Sequence, residues 1–215
     1  MSIQTCPGDG TISLPAGCLS HFTMSPSGSH NRHRHIILIG LMGCGKTTVG
    51  RELSKLRGTP FLDTDFVIEE QLGRNIADIF SDEGEDYFRK LETTLLRYLV
   101  QEKTDASYII STGGGIVIRP ENRALLRQLG YNVWLNVDVP VLIQRTARAN
   151  NRPLLHNVDP AERLKTLFAT RRPMYEETAH DQFDTSALEL HEVARMINQG
   201  AERHFSRPDT GLPEE

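Results

Sequence analysis

The residues with the clearest chemical potential form a glycine-rich loop, Gly40–Thr47, which fits the pattern G-x-x-x-x-G-K-[ST]. Glycines in such a loop let the backbone turn its N–H groups toward a polyphosphate. The ammonium group of Lys46 can bridge the β- and γ-phosphates, and the hydroxyl of Thr47 is suited to hold Mg²⁺. The pattern therefore predicts a site for a nucleoside triphosphate and a metal ion.

The surroundings of this loop support the prediction. An apolar run at 36–39 precedes it and predicts a β-strand, and an apolar repeat typical of a helix follows it. A helix that begins near Thr47 would add the positive end of its dipole to the phosphate site. A glycine-rich turn with no ligand is the alternative, and this strand-loop-helix context argues against it. The residues predicted to contact the nucleotide here are Gly43, Cys44, Gly45, Lys46, Thr47 and Thr48.

Two carboxylates, Asp63 and Asp65, end the next short apolar run. In an extended chain they share one face, and at the carboxyl end of a strand they lie within reach of the loop's ligand. We therefore expect Asp63 to hold Mg²⁺, directly or through water, together with Thr47. Asp65 is expected to accept a hydrogen bond from the hydroxyl that is phosphorylated. The alternative for either residue is a turn or an N-cap for the helix predicted from Phe66.

Arg89 and Glu92 lie three residues apart on a predicted helix and can pair along one side of it. A solvent-facing ion pair is the ordinary explanation of this spacing. The neighbouring apolar residue, Phe88, leaves open a second interpretation, in which a buried arginine holds an anion.

A run of three glycines, residues 113–115, follows a third predicted strand. Consecutive glycines cost chain entropy and are usually kept where something approaches the backbone closely, although an unusual turn has the same requirement. Farther along, the polar and turn-prone stretch at 150–157 predicts a mobile flap that carries Arg152.

Composition limits the possible function classes. The 215 residues include 24 Lys and Arg and 28 Asp and Glu, a net charge of −4, which argues against general affinity for nucleic acid or anionic membranes. No apolar stretch approaches the roughly 18 residues that span a bilayer. Three cysteines, one of them inside the loop, are too few for a disulfide framework, so we expect a cytoplasmic protein.

Strand and helix patterns alternate along the chain, which predicts one α/β domain with a mostly parallel sheet covered on both faces. Residues 1–34 contain many Gly, Pro and Ser and no periodic apolar face, so we expect a disordered N-terminal leader there. The folded domain is expected at 35–204, and residues 205–215 are expected to form a flexible C-terminal tail.

The order of the motifs resembles that of the shikimate kinases. The motifs are G-L-M-G-C-G-K-T, D-T-D, F-R-K-L-E, G-G-G, R-P-L-L and R-R-P-M-Y, and the resemblance covers roughly residues 36–198. It implies a P-loop NTPase fold of the nucleoside-monophosphate-kinase type, with a five-stranded parallel sheet of order 2-3-1-4-5 and a mobile lid at about 149–160. It also implies a monomer that transfers the γ-phosphoryl group of ATP to the 3-hydroxyl of shikimate, giving shikimate 3-phosphate and ADP, with Mg²⁺, in the biosynthesis of aromatic amino acids.

The resemblance also assigns roles to individual residues. Arg145 matches a residue that stacks on adenine, and Arg152 matches a lid arginine that closes over the phosphates. Thr47 and Asp63 match the magnesium positions, and the catalytic set is Lys46, Asp65 and Arg152. The positions that match the shikimate-holding residues are Asp65, Arg89, Gly113, Gly114, Gly115 and Arg171.

One departure concerns the base of the nucleotide. Several family members have an arginine after the fifth strand, where this chain reads D-T-S-A-L at 184–188. We therefore expect weaker or differently built contacts to adenine and a looser nucleotide preference.

Two other functions are compatible with the same loop. A kinase of the same fold that acts on gluconate is one, because gluconate is also a carboxylated polyol; Arg89, Arg171 and the glycine run favour shikimate. A regulatory module that binds a ligand without catalysis is the other. It would require a damaged active site, and the predicted catalytic residues are all present.

Overall fold

The computed structural model of the chain describes residues 34–101, 106–146 and 159–206. All of the predicted leader except its last residue, most of the predicted lid, with Arg152, and residues 207–215 of the predicted tail lie outside these ranges. The first half of the fold runs β1 (His35–Ile39), α1 (Lys46–Arg57), β2 (Phe61–Asp63), α2 (Thr64–Leu72), α3 (Ile76–Asp82), α4 (Gly84–Gln101) and β3 (Ile109–Ser111). The second half runs through a 3₁₀ turn (Ile116–Ile118), α5 (Pro120–Leu129), β4 (Gly130–Asn136), α6 (Val139–Thr146), α7 (Pro160–Thr178), β5 (Asp181–Asp184) and α8 (Leu190–Ser206).

The five strands form one parallel sheet in the order β2-β3-β1-β4-β5, which confirms the predicted order. Strand β1 lies in the middle, where Ile37 pairs with Ile110 on one side and with Asn132 on the other. All five residues of β1 are buried, which explains why its sequence is apolar without alternation.

Helices cover both faces of the sheet, as predicted. Ile37 and Ile39 point into a core cluster shared with side chains of α2 to α5 and α7. Ile36 and Leu38 point into a second cluster on the opposite face, shared with α1, α6, α7 and α8. Because both layers are filled by aliphatic and aromatic side chains, the carboxyl ends of β1, β2 and β3 are held at fixed positions along one edge.

Strand β2 is shorter than predicted and ends at Asp63. The Asp63 side chain accepts a hydrogen bond from the backbone N–H of Asp65 at 3.2 Å and caps α2, which begins at Thr64. The expectation that both carboxylates share a face of one extended segment is therefore wrong. Asp63 closes the strand, whereas Asp65 lies in the first turn of the helix.

The last helix extends to Ser206, two residues beyond the expected end of the domain at 204. Phe205 packs against the second core cluster and against the ring of Tyr131, with centroids 6.3 Å apart. An apolar residue with such a packing partner continues the helix into the first two residues of the stretch predicted as a tail.

Candidate active site

The glycine-rich loop joins the carboxyl end of β1 to α1. Three of its glycines, Gly40, Gly43 and Gly45, have positive φ angles of 144°, 82° and 98°. A Cβ at Gly43 would lie 2.7 Å from the Thr146 side chain, so a larger residue is excluded there both by conformation and by space. Lys46 begins α1, one residue earlier than predicted.

The Lys46 ammonium folds back over this loop. Its Nζ donates hydrogen bonds to the carbonyl oxygens of Gly40 and Leu41, at 2.8 Å and 3.0 Å, and lies 3.7 Å from the Cys44 sulfur. The side chain is 8% exposed. A positive charge held by neutral carbonyl groups at a helix N-terminus is placed to exchange those partners for a polyphosphate.

A cleft of about 350 Å³ opens above the loop, and we call it the phosphate cleft. Within it the Thr47 hydroxyl donates a hydrogen bond to Asp63 Oδ2 at 3.0 Å, and Ser111 Oγ lies 3.5 Å from the same hydroxyl. Asp63 pairs with Ser111 in the β2–β3 register, so these oxygen atoms meet where the strands end. The sequence analysis did not include Ser111 in this site. Its position at the end of a predicted strand could have indicated it.

A second cleft, of about 390 Å³, lies beside the loop and is called the base cleft here. Arg145 lines both this cleft and the phosphate cleft, and its Nη2 donates to the Thr185 carbonyl at 3.2 Å. Leu188 and Leu190 form part of its wall. Two leucines thus line the base cleft after β5, where the sequence lacks the arginine that several family members have.

A third cleft, of about 340 Å³, lies on the far side of the loop, and we call it the acid cleft. Its wall includes the rings of Phe80 and Phe88. It also includes every residue predicted to hold the phosphate acceptor, namely Asp65, Arg89, Gly113, Gly114, Gly115 and Arg171.

The two arginines of the acid cleft are buried, Arg89 at 6% and Arg171 at 4% exposure. Arg89 forms ion pairs with Glu85 at 2.7 Å and with Glu92 at 2.8 Å, and Glu92 itself is fully buried. The pair predicted between Arg89 and Glu92 is present, but it is not at the surface. Arg171 Nη1 donates to the Gly114 carbonyl at 3.0 Å.

Side chains of the protein pack closely against the backbone of the glycine run, residues 113–115. A Cβ at Gly113 would lie 2.7 Å from Asp65 Oδ1 and 2.9 Å from Glu92 Oε1. At Gly115 it would lie 2.3 Å from the Arg89 guanidinium. These glycines therefore make room for the charged groups of the cleft, which is a requirement that the sequence analysis did not foresee.

Burial dominates the electrostatics of this region. It raises the pKa of Asp65 from 3.8 to about 6, and the nearby Asp63 carboxylate adds to the rise. Burial also raises the pKa of Glu92 to about 7, although the Arg89 guanidinium acts in the opposite direction. Asp65 Oδ1 and Glu92 Oε1 are both buried and have no hydrogen-bond partner among residues 34–101, 106–146 and 159–206. A ligand with hydroxyl donors would satisfy such oxygens.

Met42, Asp65 and Gly114 line both the phosphate cleft and the acid cleft. The carbonyl of Gly114 accepts a second hydrogen bond, from the Tyr175 hydroxyl at 2.5 Å, in addition to the one from Arg171. A site suited to phosphates and a site suited to an anion with hydroxyl groups thus meet at these shared residues. The described ranges bring together all of the predicted site residues except Arg152, which lies outside them.

A phosphate loop on a 2-3-1-4-5 parallel sheet, next to an arginine-lined cleft, defines a P-loop kinase with a small anionic acceptor. The sequence profile described as "Shikimate kinase" matches residues 42–201 of this chain. The chain belongs to the shikimate kinase family.

Relatives and solved structures agree with this family. The chain is 45% identical to the shikimate kinase of Dechloromonas aromatica over 174 residues, covering 81% of this chain and 91% of that protein. It is 40% identical to the shikimate kinase of Symbiobacterium thermophilum, covering 80% and 99%. The structure of the Acinetobacter baumannii shikimate kinase in complex with shikimate matches with a TM-score of 0.74 at 40% identity, covering 80% of this chain and 95% of that one. Within the described ranges, no helix has the length and apolar character needed to cross a membrane.

Proposed function

We propose that this protein transfers the γ-phosphoryl group of ATP to the 3-hydroxyl of shikimate, giving shikimate 3-phosphate and ADP. The observation that carries the proposal is the acid cleft, which two buried arginines and the Asp65 carboxylate line together, and Asp65 also lines the phosphate cleft. The family relationship supports the same acceptor. We further propose that the protein acts as a cytoplasmic monomer in aromatic amino-acid biosynthesis.

The acceptor is proposed to bind through its carboxylate and its hydroxyl groups. Arg89 and Arg171 present planar guanidinium groups, which hold a carboxylate in forked geometry. The free Oδ1 of Asp65 accepts a hydrogen bond from a ring hydroxyl. In the proposed arrangement the hydroxyl lies where the two clefts meet at Asp65, in line with the γ-phosphate and without a wall between them.

The residues present suit Mg²⁺. Thr47 and Asp63 supply a hydroxyl and a carboxylate oxygen 3.0 Å apart, which is the kind of hard oxygen donor that this ion prefers. A site with few protein ligands is typical of Mg²⁺ that is held mainly by nucleotide phosphates and water. When bound, Mg²⁺ neutralises negative charge on the phosphates.

The remaining steps belong to the chain's own residues. Lys46 leaves its two carbonyl partners and pairs with the β- and γ-phosphates. Asp65 orients the acceptor hydroxyl and takes its proton late, because phosphoryl transfer passes through a loose transition state. On the family resemblance we assign to Arg152 the neutralisation of charge on the transferred group and to Arg145 the stacking on adenine.

The experiment that tests this function is a coupled assay of ADP formation by the purified protein, with shikimate or gluconate as the acceptor. ADP formation that depends on shikimate and exceeds that with gluconate is the expected result. Preferential turnover of gluconate would favour the other small-molecule kinase. Binding of shikimate and nucleotide without turnover would favour the regulatory module.

A further inference from the structure

Glu69 makes hydrogen bonds on both sides of the turn between α2 and α3, through its main chain and through its side chain. Its main-chain carbonyl accepts hydrogen bonds from the backbone N–H groups of Gly73 and Arg74, which ends α2. Its side-chain Oε1 accepts a hydrogen bond of 2.9 Å from the backbone N–H of Ile76, the first residue of α3. The carboxylate of Glu69 therefore ties the start of one helix to the body of the preceding one.

Within the part of the chain that the structure describes, Glu69 is the side chain that accepts from the Ile76 N–H. The N-cap residue of α3, Asn75, uses its side chain on Asp78, accepting from the backbone N–H at 2.9 Å and donating to the carboxylate at 2.6 Å. The N–H of Ile76 is one of the helix-end donors that need an acceptor from outside the helix. Removal of the Glu69 carboxylate thus leaves the first turn of α3 without its link to α2.

Helix α3 forms the outer wall of the acid cleft. Ile76, Ala77 and Phe80 line the cleft from this helix. The ring of Phe80 lies 5.0 Å from that of Phe88 and 5.9 Å from the Arg89 guanidinium carbon, so it borders the arginine expected to grip the acceptor. A shift of α3 would change the width of the cleft at this arginine.

Ion pairs of Arg74 with the end of α3 lie at the surface. Arg74 pairs with Asp82 at 2.6 Å and with Glu83 at 3.5 Å, and all three side chains are at least one-third exposed. Exposed ion pairs contribute little to stability. Of these polar restraints the partly buried bond from Glu69 is therefore the stronger, and it fixes the first turn of α3 while the fully buried Ile79 anchors the helix in the first core cluster.

We propose that Glu69 is a positioning residue for the acceptor, because it holds α3 as the wall that encloses the acid cleft. This inference rests on the proposed function for the identity of the acceptor. The part of the inference that concerns the restraint on α3 is independent of which acid is bound. Glu69 itself also lines the acid cleft. The proposal assigns its effect on the acceptor to the bond with Ile76 and not to direct contact, and it gives Glu69 no part in the transfer of the phosphoryl group.

The test compares three variants of the full chain: Glu69→Ala, Glu69→Gln and Glu70→Ala. The glutamine keeps an oxygen that can accept from Ile76, and Glu70 is an exposed neighbour on the same helix. We expect Glu69→Ala to raise the KM for shikimate about tenfold, the change that ~1.4 kcal/mol produces, with kcat and the KM for ATP within about twofold of the parent. Glu69→Gln and Glu70→Ala are expected to keep the parent KM.

Amide hydrogen exchange provides a readout that needs no turnover. Peptides that cover 74–83 are expected to exchange about tenfold faster in Glu69→Ala, and at the parent rate in Glu69→Gln and Glu70→Ala. Peptides from β1 and β4 are expected to keep their protection in all variants.

Unchanged exchange at 74–83 in Glu69→Ala would overturn the proposal at any KM, since a raised KM would then reflect direct contact of Glu69 with the acceptor in the acid cleft. Unchanged KM would overturn it as well. A glutamine variant as impaired as the alanine variant would also overturn it, because the negative charge and not the hydrogen bond would then be required. If the parent protein fails to phosphorylate shikimate, the proposed function fails, whereas the exchange of 74–83 still decides whether Glu69 restrains α3.

Discussion

The Thr47 hydroxyl and Asp63 Oδ2 are hydrogen-bonded at 3.0 Å, although the two residues are sixteen positions apart in the chain. One belongs to the first turn of α1, and the other caps α2 at the end of β2. Parallel strands bring these ends together at one edge of the sheet. The pair thus offers two oxygen atoms in one place, on the floor of the phosphate cleft.

Removing the Thr47 hydroxyl is expected to raise the Mg²⁺ concentration that turnover requires. Thr47→Val keeps the shape of the side chain but removes one oxygen donor, so the MgCl₂ concentration for half-maximal turnover should rise about tenfold or more. The measurement is turnover against MgCl₂ at saturating ATP and shikimate. Thr94→Val, on the exposed side of α4, is the control and should leave the titration unchanged. An unchanged titration in Thr47→Val would remove Thr47 from the metal site.

Asp65→Asn is expected to abolish most turnover and to leave nucleotide binding intact. The amide keeps the shape of the side chain but is a much weaker proton acceptor, and the loss of a general base typically lowers kcat by about 10²–10⁴. Turnover and the Kd for ADP, measured by calorimetry, together check the expectation. A variant with near-parent kcat would exclude Asp65 as the base.

The raised pKa of Asp65 predicts two opposite dependences on pH. With a folded-state value of about 6, the base is protonated below pH 6, so kcat/KM should fall as the pH drops through that value. The free energy of unfolding should instead rise as the pH drops, because the pKa of the Asp65 carboxyl is near 3.8 in the unfolded chain and about 6 in the folded chain. The folded state thus binds more protons between these values, and the free energy of unfolding falls as the pH rises through them.

Asp65→Asn removes this contribution. At pH 8 and without ligands it should exceed the parent in stability by on the order of 1–3 kcal/mol, and the difference should vanish near pH 4. Urea unfolding of both proteins across this range is the measurement. A constant difference between the two proteins at all pH values would contradict the assignment of the raised pKa to Asp65.

Two neighbouring arginines on α7 provide a matched comparison. Arg171 is buried in the acid cleft, whereas Arg172 is exposed and pairs with Glu176 at 2.8 Å. Arg171→Ala should raise the KM for shikimate by about 30-fold or more, since it removes one partner of a desolvated charge pair. Arg172→Ala should leave the kinetics unchanged. Steady-state kinetics of both variants, with the Kd for ADP as a check on folding, test this; equal effects of the two substitutions would refute the role of Arg171.

The base cleft predicts a looser choice of nucleotide. Apolar contacts from Leu188 and Leu190 discriminate between bases less than a set of directed hydrogen bonds does. We expect kcat/KM with GTP to lie within about 100-fold of that with ATP. Parallel assays with the two nucleotides give the ratio, and a preference for ATP above about 10⁴-fold would show that the base is read by hydrogen bonds.

The sequence was sufficient for those features that depend on local pattern. The glycine-rich loop follows from its motif, the central strand from its continuous apolar run, and the alternation of strands and helices from its periodicity. The sheet order came from the resemblance to a family and not from periodicity. Most of the predicted site residues lie in the three clefts, because each belongs to a motif at the end of a strand or on a predicted helix.

The remaining features depend on contacts between distant parts of the chain. The start of α2 at Thr64 could not be read from the alternation of Asp63 and Asp65, because an N-cap and an extended segment have the same local pattern. The burial of Glu92 and the fit of Gly115 against Arg89 arise only when α4 packs beside the carboxyl end of β3. Spacing alone gives no information on that packing.

The residues shared by the phosphate cleft and the acid cleft have a genetic consequence. Met42, Asp65 and Gly114 each face both clefts, and a Cβ at Gly114 would lie 3.2 Å from the Met42 backbone nitrogen. A substitution that changes bulk or backbone at Met42 or Gly114 is therefore expected to alter the handling of donor and acceptor together, whereas the isosteric change Asp65→Asn acts on the acceptor side. Selection for cells with altered use of one ligand alone should therefore recover changes in Arg171 or Leu188 and none at Met42 or Gly114, which makes these two shared positions the least free to vary.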